Sequence, residues 1–468
     1  MRALILAELR AAWSSWLAVL VAFVATSFSL VLALLAYDTL SATIATGKVP
    51  RNETIAVLFE PGWNLALALV GTLSVIGAVT GLVVQARRGA VARLSLAGAT
   101  PGQVSRILLA QLAVVALAGA VIGIALAVVA QPAAVANVLA ERGVDPSIAV
   151  LRFNPVLMLI GAGGFVLFAM FAGLRQSRVA AAVPPIEALR TVPGAATRRR
   201  QIWRWICGSL IALSIPAIAV ILVILVPKLG KDGGDTVLEG ALICMLLTSI
   251  VLSLWAPLTI GLLTRAWTAL VPSRSAAWVL ARSAVIARGE RLSRTVTPIM
   301  MAVGLLVGLG ALSASVIALL ESIHGPALEH TSMLSMLFLI GLILLISMSG
   351  GLSVVLMMSR QREAELALAG IVGATVRQQV LVTVFEGIII TVTATILGLV
   401  MMGVGMGVFA VGVTAADLGV PTPVIVPWRD LAVIIVICAA VVVAATTLPV
   451  LRSLGRPSRQ VIAQLAAE

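Results

Sequence analysis

The sequence predicts an all-α polytopic membrane protein with ten transmembrane helices, arranged as four, two and four. Its 468 residues are 61% hydrophobic and only 11% charged, with a mean hydropathy of +1.14. Apolar runs of about 20 residues, each able to cross a hydrocarbon core of about 30 Å, recur along the chain. A short polar element also occurs twice at the same place relative to these runs, which indicates a duplicated membrane module.

The ten runs lie near 14–37, 62–85, 106–131, 154–174, 205–227, 238–264, 296–320, 333–358, 380–412 and 428–451. We expect a first four-span module at 1–190, a linker with a two-span hairpin at 191–275, and a second four-span module at 276–468. An even number of linking spans keeps the two four-helix repeats parallel. The loops on the outer side are short, so the sequence predicts no large extracytoplasmic domain.

The distribution of charge explains the formal net charge of +13. With the N-terminus inside, 25 of the 32 Lys and Arg fall in inner loops and 12 of the 19 Asp and Glu fall in outer loops. This is the positive-inside pattern, and it predicts that both termini are cytoplasmic. The basic excess therefore indicates topology and contact with membrane lipids, and no nucleic acid is expected as a partner. The first apolar run lacks a small-residue cleavage site, which predicts an uncleaved anchor.

The repeated polar element is Gly98-Ala99-Thr100 followed by Gln103, and again Gly373-Ala374-Thr375 followed by Gln378. Glycine ends a helix readily because it tolerates left-handed dihedral angles, and threonine can cap the next helix. A shift of 275 positions also aligns Arg87 with Arg362, Gln111 with Glu386, and Gly123 with Gly398. We expect each element, within 86–105 and 359–379, to form a short surface helix, a sharp turn and the start of a span. A single copy would be read as an ordinary loop, but two copies favour a docking surface.

The second copy carries a more specific pattern. It reads Arg362-Glu363-Ala364-Glu365-Leu366, then Gly373-Ala374-Thr375-Val376-Arg377-Gln378, with Glu386 in the following span. This pattern resembles the FtsX-like permease domain of ABC transporters of the mechanotransmission type. The first copy departs from it, because Arg88 stands where Glu363 does and Gln111 where Glu386 does. The resemblance covers both four-span modules and leaves out the central hairpin.

The resemblance implies that each turn is a coupling helix that sits in a cleft of a cytosolic ABC ATPase, so that two ATPase copies bind one chain. It also implies the plasma membrane of a bacterium as the location. The implied ATPase-coupling residues are Arg87, Arg88, Leu94, Gly98, Ala99, Thr100, Gln103, Arg362, Glu363, Leu366, Gly373, Ala374, Thr375 and Gln378. The chain has no GxxxxGK[ST] loop. We therefore expect no enzyme activity and no directly bound cofactor, with ATP and Mg²⁺ held by the partner.

Two sets of polar residues leave alternatives open. Glu386 either transmits motion from the coupling helix to its span or snorkels to the cytoplasmic interface, because a charge buried in hydrocarbon is costly. His324 and His330 share one outer loop, where metal binding is conceivable. Their spacing fits no strong motif, however, so a solvated loop is the preferred interpretation and no metal site is assigned.

The sequence thus favours the permease subunit of an ABC transporter that exports or extracts a lipophilic or amphipathic substrate, such as an antibiotic, a peptide or a lipid. Two alternatives remain open. One is an ATPase-driven signal relay without transport. The other is a secondary transporter with parallel repeats, which would need charged residues at the midplane of the membrane.

Overall fold

The computed structural model describes residues 13–50, 54–87, 96, 98–141, 143–181, 198–229, 233–272, 275–287, 289–324, 341–342, 344–353, 357, 370–416 and 424–453. Within these ranges the chain is helical and contains no strand. The main helices are α1 (Trp13–Ala45), α2 (Thr54–Ala86), α3 (Pro101–Glu141), α4 (Pro155–Ala181), α5 (Arg198–Leu229), α6 (Gly233–Ala269), α7 (Ala276–Ala287), α8 (Gly289–His324), α9 (Val376–Ala415) and α10 (Trp428–Ser453). A short 3₁₀ turn, Pro146–Ile148, precedes α4.

Eight of these helices are long and apolar enough to cross a membrane: α1 to α6, α8 and α9. A helix satisfies its own backbone hydrogen bonds, which is why apolar segments of this length fold this way in lipid. The predicted eighth span, 333–358, is described only in part, as helix at Leu344–Ser353. The predicted tenth span corresponds to α10, whose apolar part is Leu431–Thr447. The count of ten and the 4+2+4 arrangement therefore stay predictions.

Two helices are longer than any other in the part of the chain that the structure describes. Helix α3 has 41 residues and α9 has 40. At about 1.5 Å per residue each is about 60 Å long, roughly twice the hydrocarbon thickness. The run at 380–412 therefore lies within one continuous helix. Both long helices begin directly after a Gly-Ala-Thr triplet.

By their contacts the residues form two compact units. Unit 1 contains Met1–Pro193 and Met333–Met357, and unit 2 contains Gly194–Ser332 and Met358–Glu468. The hairpin α5–α6 thus belongs with the second half of the chain. The short helix at 344–353 belongs with the first, where Gly350 packs against Val75 of α2 and the Ser353 hydroxyl donates to the Ala18 carbonyl of α1. These contact-based units differ from the predicted sequence modules, whose boundaries stay a prediction.

The same helix crossing forms the core of each unit. Helices α1 and α3 pack together in unit 1, as α8 and α9 do in unit 2. A Cβ on Gly123 of α3 would lie 2.8 Å from the backbone nitrogen of Phe28, and a Cβ on Gly398 of α9 would lie 3.0 Å from that of Gly304. Because Gly123 and Gly398 align in the sequence repeat, the duplication extends to a close backbone crossing in each unit.

A second repeated contact fixes the far end of each unit, opposite the Gly-Ala-Thr turns. In unit 1 the backbone N–H of Arg152 donates to Thr39 Oγ1 (3.2 Å), and that hydroxyl lies 3.4 Å from the Arg152 carbonyl oxygen. In unit 2 the N–H of Ile425 donates to Ser315 Oγ (3.0 Å), which donates back to the Ile425 carbonyl (3.2 Å). Each hydroxyl is hydrogen-bonded to the extended segment that precedes a helix, α4 in unit 1 and α10 in unit 2.

Candidate functional site

Both Gly-Ala-Thr turns contain a glycine in the left-handed region of backbone space. Gly98 has φ +91° and Gly373 has φ +105°. A Cβ added at either glycine would meet nothing within 4 Å, so the requirement for glycine comes from the backbone and not from crowding. Left-handed dihedral angles cost other residues about 1–2 kcal/mol. The predicted sharp turn is therefore confirmed in both copies.

The residues after each glycine form a capping box, in which two side chains satisfy the free amides at the start of a helix. The N–H of Thr375 donates to Gln378 Oε1 (2.9 Å), and the N–H of Gln378 donates to Thr375 Oγ1 (3.3 Å). Thr100 and Gln103 make the same two bonds at 2.9 and 3.4 Å. The predicted threonine cap is thus confirmed, and the glutamines serve as its second half. This explains the Thr-x-x-Gln spacing without reference to a partner.

Apolar side chains surround the turns and are exposed. Val372 is 89% exposed, Ile371 and Val376 are each 58% exposed, and Leu96 near the first turn is 64% exposed. Leu96 and Ile371 lie within the segments expected to form surface helices, whereas no sequence pattern indicated the exposure of Val372 and Val376. Apolar side chains that are exposed on a turn outside the apolar runs are available to contact a partner protein or the membrane surface.

Arg87, the residue directly after α2, packs against the ring of a tryptophan near the start of α1. Its guanidinium carbon is 5.5 Å from the centre of the Trp16 ring, and Trp16 is only 5% exposed. A guanidinium over an indole face is a favourable cation–π arrangement. Arg87 therefore helps to connect α2 to the start of α1, a contact of Trp16 that the sequence did not indicate. Its involvement in ATPase coupling stays a prediction.

Gln111 and Glu386 occupy the same register of α3 and α9, eleven residues after Thr100 and Thr375. Gln111 is 1% exposed and Glu386 is 3% exposed. This burial is incompatible with the snorkelling interpretation of Glu386, because a snorkelling carboxylate would leave the helix bundle. Gln111 Oε1 has no hydrogen-bond partner among the described residues. Each long helix thus carries a buried polar residue about three turns from its cap.

Near the turns, each long helix is connected to a second helix of its unit, α3 to α4 and α9 to α10. The hydroxyls of Ser105 in α3 and Ser177 in α4 are 2.9 Å apart and buried. In unit 2, Thr446 of α10 donates to the Thr383 carbonyl of α9 at 3.3 Å. These residue types differ between the copies, so no sequence repeat indicates them.

The remaining candidates fall outside the described residues. Arg88, Leu94, Arg362, Glu363 and Leu366 are among these, as is most of each predicted surface helix. His330 and the His324 side chain are too. Among the residues that the structure describes, no group of three or more His, Cys, Asp or Glu could hold a metal ion.

Comparison with known proteins supports the duplication. The FtsX-like permease C-terminal family matches the chain twice, at 65–185 and 337–458. No curated protein and no solved structure matches the chain. The two matched regions contain both Gly-Ala-Thr turns and omit the hairpin, as well as α1 and α8. This coverage is smaller than the two whole four-span modules expected from the resemblance. Because the matches span more than half of its length, the chain belongs to the FtsX-like permease C-terminal family, whose members are membrane components of ABC systems.

Proposed function

We propose that this multi-pass protein is the permease subunit of an ABC transporter and works with two copies of a separate cytosolic ATPase, one at each Gly-Ala-Thr turn. The observation that carries the proposal is the repeated geometry of the turns. Both copies have the same left-handed glycine and the same capping box, and both present exposed apolar side chains. A partner protein can displace an exposed apolar turn of this kind, and the long helix that follows the turn can transmit the displacement.

The proposed mechanism is mechanical. ATP-driven closure of the ATPases moves the turns, and α3 and α9 carry this motion along their length of about 60 Å. The contacts Ser105–Ser177 and Thr383–Thr446 pass it to α4 and α10. The substrate that we propose is lipophilic or amphipathic and reaches the protein from within the bilayer, because the short outer loops offer little room to handle a soluble substrate. Export or extraction fits this route better than import.

The first test is association with the ATPase. The chain is expressed together with an ABC ATPase from a neighbouring gene and purified through a tag on the chain. Val372→Glu should reduce the amount of retained ATPase, because it places a charge on the exposed tip of the second turn. Val424→Glu is the matched control, since Val424 is 49% exposed at the far end of unit 2. Equal retention by both variants, or none by the wild type, would contradict the proposal.

The second test separates transport from signalling. The complex is placed in proteoliposomes with a fluorescent phospholipid or a lipophilic cationic dye, and movement of the probe is followed with and without ATP. ATP-dependent movement supports a transporter. ATP hydrolysis with no movement of either probe would instead support the relay without transport.

A further inference from the structure

The hairpin α5–α6 lies outside both regions that match the family, yet α6 packs along α9, the helix that begins at the second turn. The two helices run in opposite directions. Val237 of α6 lies against Gly412 of α9, Met245 lies against Gly405, and Thr264 lies against Thr393. The contact therefore extends over most of the transmembrane length of α9.

Glycines on two helices form a groove for α6. A Cβ on Gly405 of α9 would overlap Met245 Cγ, and a Cβ on Gly308 of α8 would overlap Met245 Cε. A Cβ on Gly412 would lie 2.6 Å from Val237 Cγ1. Met245 is 1% exposed and Val237 is 1% exposed. The absence of side chains at these three positions lets α6 approach α8 and α9 closely, as small residues do between membrane helices.

The other end of the contact is polar and aromatic. Trp267 Nε1 of α6 donates to Thr393 Oγ1 (3.0 Å), and the hydroxyls of Thr264 and Thr393 are 3.3 Å apart. Trp278 of α7 then lies between the two helices: its ring centre is 6.1 Å from that of Trp267 and 5.5 Å from that of Phe385 of α9. Thus α6 and α7 contact α9 about three to five turns after its cap.

This groove is specific to the second half of the chain. At a shift of 275 positions, Gly308, Gly405 and Gly412 align with Ala33, Ala130 and Asn137. Each of these residues carries the Cβ that would overlap with a helix packed as α6 is. The two halves therefore differ in the packing of the long helix that follows each turn, although the turns themselves are alike.

We infer that α6 is a positioning element for α9: Met245 in the glycine groove and the Trp267–Thr393 hydrogen bond set the tilt of α9, and through it the position of the Gly373–Thr375 turn. The inference rests on the proposed function only in taking that turn as an ATPase contact. Its physical content, a fixed angle between α6 and α9, does not depend on an ATPase.

The distances along α9 from Thr393 to Gly405 and to Thr375 determine how far the turn is expected to move. Thr393 lies about 12 residues from Gly405 and about 18 residues from Thr375, which corresponds to about 18 Å and about 27 Å of helix. If the overlap at Gly405→Ala pushes α9 away by about 1 Å with Thr393 as the pivot, the turn moves by about 1.5 Å the other way. Helix shifts of about 1–2 Å are typical of functional transitions at packed interfaces.

The test measures this movement in the purified full-length chain, in lipid nanodiscs without ATPase. Spin labels are attached at Val372→Cys and Leu270→Cys, which are 89% and 81% exposed, in a Cys207→Ser background because Cys207 is also exposed. The distance distribution between the labels is recorded by pulsed electron resonance. We expect Gly405→Ala to shift the mean distance by about 1–2 Å. The double variant Met245→Ala/Gly405→Ala should reverse that shift, because the overlap is gone, while keeping the broader distribution that loss of the Met245 contact produces.

Gly403→Ala and Gly407→Ala are matched controls on the same helix, since a Cβ at either position meets nothing within 4 Å. They should leave the distribution unchanged. Met245→Ala alone removes the contact without overlap and should broaden the distribution, which keeps the test decisive if Gly405→Ala does not fold. If Gly405→Ala and Met245→Ala both give the distribution of the controls, the inference is wrong. Failure of the chain to retain any ATPase would contradict the proposed function but leave this result intact.

Discussion

The close helix crossings at Gly123 and Gly398 provide a quantitative test of the duplicated core. At Gly123 an added Cβ would lie 2.7 Å from Ser27 Cβ and 2.8 Å from the Phe28 nitrogen. At Gly398 it would lie 3.0 and 3.1 Å from the nitrogen and Cα of Gly304. Since carbon atoms pack best at about 3.5–4.0 Å, α1 and α3 must separate by about 0.7–1 Å, and α8 and α9 by about half as much.

These separations predict an order of stability. Overpacking in a core costs about 1–3 kcal/mol, while replacing glycine by alanine within a helix returns up to about 1 kcal/mol. Gly123→Ala should therefore destabilise the protein by about 1–2 kcal/mol, and Gly398→Ala should be close to neutral. Gly77→Ala, at a position with nothing within 4 Å, should not destabilise it.

The assay is the apparent midpoint of thermal unfolding in detergent, compared at one heating rate because such unfolding is often irreversible. A change of 1 kcal/mol corresponds to about 2–4 °C for a unit of this size. If Gly123→Ala were as stable as Gly77→Ala, or more stable than Gly398→Ala, the close backbone crossing in unit 1 would be wrong.

Three further outcomes can be measured. Thr375→Val should weaken the start of α9 by about 1 kcal/mol, seen as about fivefold faster amide hydrogen exchange in its first turn, whereas Thr375→Ser should retain protection. Thr100→Val should have an equal effect on α3, and unequal effects would show that the two caps differ. Ser315→Ala should increase hydrogen exchange at 424–427 while leaving the turn near Thr375 protected, because it removes the contact at the far end of unit 2. Hydrogen bonds from Ser147 lower the pKa of Asp145, so the support that this carboxylate gives to the 3₁₀ turn is present above its unfolded pKa and is lost as the pH falls through the lowered folded value. Asp145→Asn should therefore remove the acid-induced change in exchange at Ser147, and persistence of that change would contradict the assignment.

Much of the candidate site could be predicted from the sequence because its determinants are local. A glycine with positive φ and a Thr-x-x-Gln capping box involve residues within a few positions of one another. The shift of 275 then indicated that the two turns share one geometry, and it aligned Gly123 with Gly398 at the two crossings. Burial of Glu386 could not be decided in this way, since a charge near a membrane interface can turn inward or outward with the same sequence.

The contacts that connect the turns to the rest of the molecule depend on residues far apart in the chain. These contacts are the cation–π pair Arg87–Trp16 and the hydrogen-bonded pairs Ser105–Ser177 and Thr383–Thr446. At a shift of 275 positions none of these pairs aligns with a pair of the same residue types, so the repeat does not indicate them. Nearly every helix of a membrane protein is apolar on all sides, so hydrophobic periodicity gives little information about which helices are neighbours. Packing therefore had to come from the three-dimensional structure.

By itself, the sequence determined the membrane class, the duplication, the two capped turns and the resemblance to the FtsX-like family, because hydropathy, repeats and turn chemistry are properties of short segments. Only the tertiary structure decided that the helix at 344–353 belongs with unit 1 and that α6 packs in the glycine groove of α8 and α9. The physical reason is that the sequence of an apolar helix does not show which of its glycines face a neighbouring helix. Only the backbone that approaches it shows whether it faces a partner, as at Gly405, or open space, as at Gly403.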